Sequence, residues 1–182
     1  MRIKFILGLF FIAASMAFAQ EYPLVTIQDI QYLPDSVIAV GDAPSPLLGD
    51  TVRVRGVVMV APVVNPIGDR RRIVAAGARW YTYFQDPNGQ VWGGLVAIQN
   101  DTSEVNQQTF FYLADTAQVI EFTGVISEYL NNTTQLDLLL NPVTPIQIIE
   151  TLAKRPDPLE LSITDFMSNG QLIKQAEKYE GM

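Results

Sequence analysis

The chain of 182 residues contains neither histidine nor cysteine. Without histidine it has no Ser-His-Asp or Cys-His catalytic machinery and no histidine-bound metal. Without cysteine it has no disulfide, no thiolate nucleophile, no iron–sulfur cluster and no cysteine-bound zinc. Any chemistry must therefore come from carboxylates, hydroxyls, lysine or arginine, and the fold must rest on a hydrophobic core without covalent cross-links.

Acidic residues are plentiful but do not form a catalytic or metal-binding pattern. The chain has 19 acidic residues against 12 basic ones, which gives a net charge of −7. Asp42, Asp50 and Asp86 lie in loops and turns, and no D-x-D-x-D or EF-hand run is present. We therefore predict that the chain has no catalytic constellation, no metal site and no cofactor, and that it is not an enzyme.

The N-terminus carries the features of a secretory signal peptide. Two basic residues precede a ten-residue apolar run at 5–14, and Ala17-Phe18-Ala19 fits a small-x-small cleavage site. The run is too short to cross about 30 Å of hydrocarbon as a helix. We predict a cleaved signal peptide over 1–19 and a secreted, cell-surface or periplasmic protein with no membrane span after cleavage. The alternative is an uncleaved anchor.

Strand-like runs separated by proline, glycine and asparagine turns predict an all-β domain. The predicted strands are 51–60, 79–85, 91–99, 116–130 and 133–149, with a longer crossover between the third and the fourth. Asp86-Pro87-Asn88-Gly89 is a strong turn signal and predicts a hairpin. Gly56 and Gly124 suit strands that curl from one sheet into another. This spacing is typical of a five-stranded Greek-key OB-fold barrel, although periodicity alone does not separate a barrel from a sandwich.

Three motifs in these strands are shared with a known family. The matching residues are Gly49, Val52, Val54, Gly56 and Val58 in the first strand, Phe84, Gln85, Asp86 and Gly89 in the hairpin, and Val119, Thr123, Gly124, Ile126, Glu128 and Tyr129 in the fourth strand. Through them the chain resembles the OB-fold domains of bacterial secreted multidomain proteins, of the nuclease-associated or tandem type. The resemblance covers about residues 26–150 and implies an OB-fold-like barrel over 20–150.

The C-terminal residues are predicted to lie outside the barrel. Pro156 and Pro158 make residues 151–158 a linker of extended chain. A short helical segment follows, and the closing AEKYEGM resembles the start of a second copy of the same family. We therefore expect residues 159–182 to begin a second, truncated module that packs little against the barrel, and the sequence to be a fragment of a longer protein.

Positive charge is concentrated next to aromatic residues. Six arginines lie between residues 53 and 79. Arginine contacts phosphate and aromatic rings stack on bases, which is what binding of single-stranded nucleic acid needs. The candidate ligand-binding residues are Arg70, Arg71, Arg72, Arg79, Tyr81, Tyr83 and Trp92. The alternative is a plain solvated face that includes Arg53 and Arg55, and the net charge of −7 opposes polyanion binding.

These features predict a non-catalytic binding or interaction module of an exported bacterial protein. Its expected ligand is single-stranded nucleic acid or another polyanion, and its expected neighbours are further domains of the same full-length chain. One alternative is an accessory domain of a secreted nuclease or phosphoesterase whose catalytic part is absent here. The other is a structural repeat of a cell-surface protein.

Overall fold

The computed structural model describes residues 21–41, 43–60, 75–76, 79–89, 91–100, 113–130, 133–142, 144–151 and 155–182. Within these ranges the side chains of residues 75–76, 79–80, 172 and 174–175 are not described. The predicted signal peptide and the Arg70–Arg72 loop lie outside the described residues. Among the described residues, no helix is long and apolar enough to cross a membrane.

Strands make up most of the described secondary structure. In chain order they are β1 (Leu24–Val25), β2 (Thr51–Val58), β3 (Ala75–Ala76), β4 (Arg79–Gln85), β5 (Gly94–Gln99), β6 (Gln118–Tyr129), β7 (Thr133–Leu138), β8 (Gln147–Thr151), β9 (Met167–Ser168) and β10 (Gln171–Leu172). The helices are α1 (Ile27–Gln31) and α2 (Asp35–Ile38), with 3-10 segments at Ile163–Asp165 and Lys174–Tyr179.

Five of the strands close into a barrel. β2 pairs antiparallel with β4 at one edge and with β6 at the other. β4 pairs antiparallel with β5, β5 pairs parallel with β7, and β7 pairs antiparallel with β6. This ring of pairings confirms the predicted all-β, five-stranded OB-like barrel and the predicted β4–β5 hairpin, and it excludes two separate sheets packed face to face.

Two strand boundaries differ from the sequence-based prediction. The third barrel strand, predicted from residue 91, begins at Gly94, because residues 91–93 still belong to the turn. The predicted strand 133–149 is two strands, since β7 ends at Leu138 and β8 begins at Gln147. Pro142 and Pro145 lie between them, and a proline nitrogen has no hydrogen to donate to a ladder. β8 pairs with β6 at the start of that strand.

The core forms because every second side chain of each barrel strand points inward. Phe84 of β4 and Phe122 of β6 face each other there, with ring centroids 4.5 Å apart. The cluster of buried residues is Ile27, Ile30, Val52, Val54, Val58, Phe84, Leu95, Ala97, Ala114, Ile120, Phe122, Ile126, Leu136, Leu138 and Ile146. The burial of this cluster is the main source of the barrel's stability.

Gly56 and Gly124 make room for core side chains. The β2–β6 ladder runs without a register shift through both positions. A Cβ atom at Gly124 would lie 2.0 Å from Cδ2 of Leu136, and one at Gly56 would lie 3.1 Å from Cβ of Phe84. The glycines therefore permit close approach between neighbouring strands, rather than marking bulges.

A short helix closes one end of the barrel. Thr26 caps α1, because its hydroxyl oxygen accepts a hydrogen bond from the Asp29 amide while the Asp29 carboxylate accepts one from the Thr26 amide. The hydrogen bonds from the Thr26 amide and hydroxyl lower the pKa of Asp29. The cap sets the direction in which Ile27 and Ile30 enter the core, where both are fully buried.

The end of the chain docks on the barrel. The Trp92 amide donates to the Lys178 carbonyl oxygen at 2.7 Å, and the Thr134 amide donates to Oε1 of Glu180 at 2.7 Å. A Cβ atom at Gly94 would lie 2.3 Å from the carbonyl carbon of Gly181. The expectation that residues 159–182 pack little against the barrel is therefore wrong for residues 178–182. That they begin a second module stays a prediction.

Candidate nucleic-acid interface

Two of the predicted site residues lie together on the outer surface of β4. Alternation along this strand places Thr82 and Phe84 inside, where both are fully buried, and Tyr81 and Tyr83 outside. The two tyrosine rings make a T-shaped contact with centroids 5.9 Å apart, and Tyr83 is 38 % exposed. This strand therefore presents the ring of Tyr83 to solvent, with the half-buried ring of Tyr81 beside it.

The same face continues across β5 and β7. Val96 and Ile98 lie opposite the two tyrosines on β5, and Gln135 and Asp137 lie next to them on β7. The Gln135 amide donates to Asp137 and to the Ser127 hydroxyl at 3.0 Å each, and the Ser127 hydroxyl donates to Asp137 at 3.1 Å. Ile98 and Gln135 are buried, whereas Val96 and Asp137 are half-buried, so the accessible part of this face is centred on Tyr83 and Val96.

The predicted arginines can be located only in part. Arg70, Arg71 and Arg72 belong to the chain between β2 and β3, outside the described residues. Arg79 is the first residue of β4, where it pairs with Ala76, and its side chain is not described. The contribution of these four guanidinium groups to the face stays a prediction.

Trp92 is separate from the tyrosine pair. It is 8 % exposed and packs with Leu33 and Ile38 in a second, smaller hydrophobic cluster. Its ring meets the ring of Tyr32 edge-on at 5.7 Å. Its backbone has a φ of 63°, in the turn before β5, so strand alternation does not decide where the ring points. The buried ring is not open for stacking, which does not fit a direct ligand contact at Trp92.

Arg53 and Arg55 form a different face, on β2 and β6. A single carboxylate, Glu121, lies between them, 3.3 Å from Arg53 Nη1 and 2.7 Å from Arg55 Nε. The Glu121 side chain is 6 % exposed. Sequence reasoning missed Glu121, although a lone acid between Ile120 and Phe122 in an apolar strand is a signal that a buried partner exists. Glu21 lies 3.4 Å from Arg53 Nη2 as well, so two carboxylates offset the two guanidinium charges and this face is a poor source of phosphate contacts.

Nothing in the described part of the chain resembles a metal centre. No group of three or more Asp or Glu side chains that could hold a metal ion occurs among these residues. The predicted absence of a metal site in the whole chain stays a prediction.

Comparison with known proteins finds likeness only at the level of structure. No family model matches the chain, and no curated protein matches it. A Leishmania major Friedlin protein described as an aspartyl-tRNA synthetase has a TM-score of 0.43 and 8 % identity over 88 % of this chain and 28 % of its own. An OBody bound to hen egg-white lysozyme has a TM-score of 0.38 and 14 % identity over 58 % of this chain and 84 % of its own.

A further solved structure is apo TiaS, a tRNA agmatidine synthetase, with a TM-score of 0.38 and 15 % identity over 71 % of this chain and 22 % of its own. The chain thus spans about a quarter of the length of the synthetase and of TiaS.

Proposed function

We propose that the barrel is a non-catalytic binding module whose ligand is single-stranded nucleic acid and whose ligand face is the outer surface of β4 and β5. The observation that carries the proposal is the exposed ring of Tyr83 in contact with the half-buried ring of Tyr81. Both lie on β4, the second strand of the OB-like barrel, and strands 2 and 3 form the surface with which such barrels bind oligonucleotides. Aromatic side chains there serve as stacking platforms for bases.

We expect the phosphate contacts to come from three consecutive arginines. Arg70, Arg71 and Arg72 belong to the chain that leads into β3 and β4, next to the tyrosine face in sequence. Arginine binds phosphate through a planar fork of donors. The net charge of −7 repels a polyanion at long range, so we expect weak binding with a steep dependence on salt.

The proposal includes export of the module and a place beside other domains of a longer chain. Its support is the sequence pattern at 1–19 and the resemblance of the closing residues to a second copy. Export would be tested by determining the N-terminus of the protein recovered outside the cytoplasm. An N-terminus at Gln20 is expected, and an intact Met1 would contradict the cleavage.

Binding is tested by fluorescence anisotropy of the mature protein with a labelled thymidine oligonucleotide of about 12 nucleotides. Tyr81→Ala and Tyr83→Ala should each weaken binding by about 1–3 kcal/mol, because each removes a stacking surface. Tyr129→Ala, which removes an exposed tyrosine at the far end of β6, is the matched control and should leave the affinity unchanged.

The phosphate contacts are tested by the salt dependence of the same binding. Replacing Arg70, Arg71 and Arg72 together by Ala should reduce the slope of log K against log salt by about 2, since each contact with a single strand contributes about 0.7. Absence of binding at low salt, or an unchanged slope in the triple variant, would contradict this face. An accessory or structural role without a nucleic-acid ligand would then remain.

A further inference from the structure

The chain contains the dipeptide Asn-Gly twice, at Asn88-Gly89 and at Asn169-Gly170, and a glutamine follows each pair. Both glycines have a positive φ, 64° at Gly89 and 76° at Gly170. An asparagine before glycine is chemically labile, because a glycine without a side chain does not hinder attack of its amide nitrogen on the asparagine side chain. The two sites therefore carry the same reactive groups in the same local order, and their surroundings differ.

At Asn88 the reactive groups are held in place in the turn between β4 and β5. Oδ1 of Asp86 accepts hydrogen bonds from the Asn88 backbone amide at 2.8 Å and from Asn88 Nδ2 at 3.0 Å. The Gly89 amide donates to the Asp86 carbonyl oxygen at 2.9 Å, and a Cβ at Gly89 would lie 3.3 Å from Cβ of Pro156. The Asp86 carboxylate also opposes a negative charge on the Gly89 nitrogen, so this site is protected from reaction.

At Asn169 the same groups lie in an open turn. Asn169 and Gly170 are both exposed, and nothing lies within 4 Å of a Cβ built at Gly170. Met167 stands two residues before Asn169, where Asp86 stands before Asn88, so this turn lacks the carboxylate. The turn joins β9 and β10, which pair over two residues each, and a hairpin of two strands alone is marginally stable. The backbone at this turn can therefore rotate into the geometry of attack.

We propose that Asn169 is a site of spontaneous deamidation in the folded protein, whereas Asn88 keeps its amide. The Gly170 nitrogen gives its proton to hydroxide and attacks Cγ of Asn169. The new bond between nitrogen and carbon closes a succinimide ring, the bond from Cγ to Nδ2 breaks, and Nδ2 takes a proton from water and leaves as ammonia. Water then adds to one carbonyl carbon of the ring and opens it to aspartate or isoaspartate. Overall, one water is consumed and one ammonia is released.

The product changes the hairpin that adjoins the docked end of the chain. Either product carries a carboxylate, and isoaspartate also lengthens the backbone between Ser168 and Gln171, whose pairing closes the hairpin. The Ile173 amide donates to the Phe166 carbonyl oxygen at 2.7 Å, and the rings of Phe166 and Tyr179 have centroids 5.1 Å apart. We therefore expect isoaspartate to loosen the hairpin and its contact with Tyr179.

The test is incubation of the mature protein at mildly alkaline pH, followed by mass spectrometry of proteolytic peptides that contain one site each. The Asn169 peptide should convert at least about tenfold faster than the Asn88 peptide. This ratio corresponds to a difference of about 1.4 kcal/mol in the barrier, within the net value of the two hydrogen bonds to Oδ1 of Asp86. Equal rates, or a faster conversion of Asn88, would overturn the proposal.

Two further measurements assign the difference to the structure. Asp86→Ala should accelerate the conversion of Asn88 about tenfold and leave the rate at Asn169 unchanged. Asp35→Ala, at an exposed aspartate of α2, is the matched control and should change neither rate. In the urea-unfolded protein both sites should convert at similar rates, because the reactive groups are the same. A difference that persists in urea, or an unchanged rate at Asn88 in Asp86→Ala, would overturn the protection by the fold.

Discussion

The barrel and the chain end that docks on it are stabilised by contacts of different kinds. In the barrel, ladders of hydrogen bonds run around a closed ring of five strands. Each strand of the ring is paired with a neighbour on both sides over at least part of its length. Inside the ring, Phe84, Phe122 and Leu136 are each at most 1 % exposed. Such a core unfolds cooperatively, because removing one strand exposes the apolar surface of its neighbours.

The docked end relies on a few separate contacts. Two backbone amides of the barrel, at Trp92 and Thr134, donate to Lys178 and Glu180, and Gly94 lies against the backbone of Gly181. The residues from 176 to 182 are only half-buried or exposed.

This difference indicates that the end of the chain can open locally while the barrel stays folded, since regions with few buried apolar contacts open at lower free energy. The proposed stacking on the tyrosine face should therefore not depend on docking.

The largest effect is expected from Gly124→Ala, which places a methyl group inside the barrel. The new Cβ would lie 2.0 Å from Cδ2 of Leu136 and 2.5 Å from the Asp137 carbonyl oxygen. The backbone atom cannot give way without breaking the β6–β7 ladder. We expect the free energy of unfolding to fall by about 3 kcal/mol, at the top of the usual range for overpacking. Urea denaturation followed by far-ultraviolet circular dichroism measures it.

Gly41→Ala is the matched control for this substitution. Nothing lies within 4 Å of a Cβ at Gly41, so the same added methyl group should leave the free energy of unfolding within about 0.5 kcal/mol. If Gly124→Ala proves as mild as the control, β6 and β7 do not approach as closely as the structure has them.

A smaller effect is expected from Gly94→Ala, which disturbs only the contact between the barrel and the docked end of the chain. The new Cβ would lie 2.3–2.5 Å from backbone atoms of Glu180, Gly181 and Met182. The end of the chain must therefore move away, and the hydrogen bond from the Trp92 amide to the Lys178 carbonyl oxygen breaks. We expect a loss of about 1–2 kcal/mol, the net value of two hydrogen bonds. Limited proteolysis should cut the released end while the barrel resists.

Amide hydrogen exchange distinguishes local release from damage to the barrel. In Gly94→Ala the Trp92 and Thr134 amides should exchange quickly, while the ladder amides of β2 and β6 keep their protection. Loss of protection throughout the barrel would show that the two regions form one cooperative unit, and unchanged protection of Trp92 would show that Gly94 does not hold the docked end.

The barrel could be predicted from the sequence because its signals are local and mutually consistent. Three signals predict the same strand pairings: the alternating valines from 52 to 58, the turn at 86–89 and the spacing of the strands. The tyrosine pair followed from the same alternation, since Tyr81 and Tyr83 are two residues apart in a strand whose inward residue, Phe84, is recognisable.

The docking of the chain end could not be predicted, because it depends on contacts between distant parts of the chain. The Thr134 amide donates to the carboxylate of Glu180, 46 residues further along the chain, and no sequence motif indicates this pair. The sequence suggests a solvated face for Arg53 and Arg55, but the register of β6 places Glu121 opposite Arg55 and within 3.3 Å of Arg53 Nη1. The sequence predicts Trp92 as a strand residue. In the structure it has a turn conformation, which directs its ring to the second hydrophobic cluster.

The last effect is that of pH, which acts on docking through Glu180. Burial in the docked state is the main cause that raises the pKa of this carboxyl from 4.5 to about 8. A hydrogen bond and the charge of Glu177, and the charge of Glu128 on β6, raise the pKa further, whereas the Thr134 amide lowers it. Lys178 also belongs to this end of the chain, and its ammonium lies 5.0 Å from the Tyr179 ring centroid.

The sign of the pH dependence follows from these two pKa values. The docked carboxyl holds a proton more tightly than the released one, so protonation favours docking. The stabilisation is complete below pH 4.5, decreases as the pH rises, and is lost above the docked pKa of about 8. Amide chemical shifts of Trp92 and Thr134, followed from acid to mildly alkaline pH, should move towards those of the Gly94→Ala variant.

Glu180→Gln keeps the acceptor for Thr134 but cannot ionise, so its docking should not change with pH. A transition that persists in Glu180→Gln would assign the titration to another group, and the absence of any transition in the unmodified protein would contradict the buried position of Glu180.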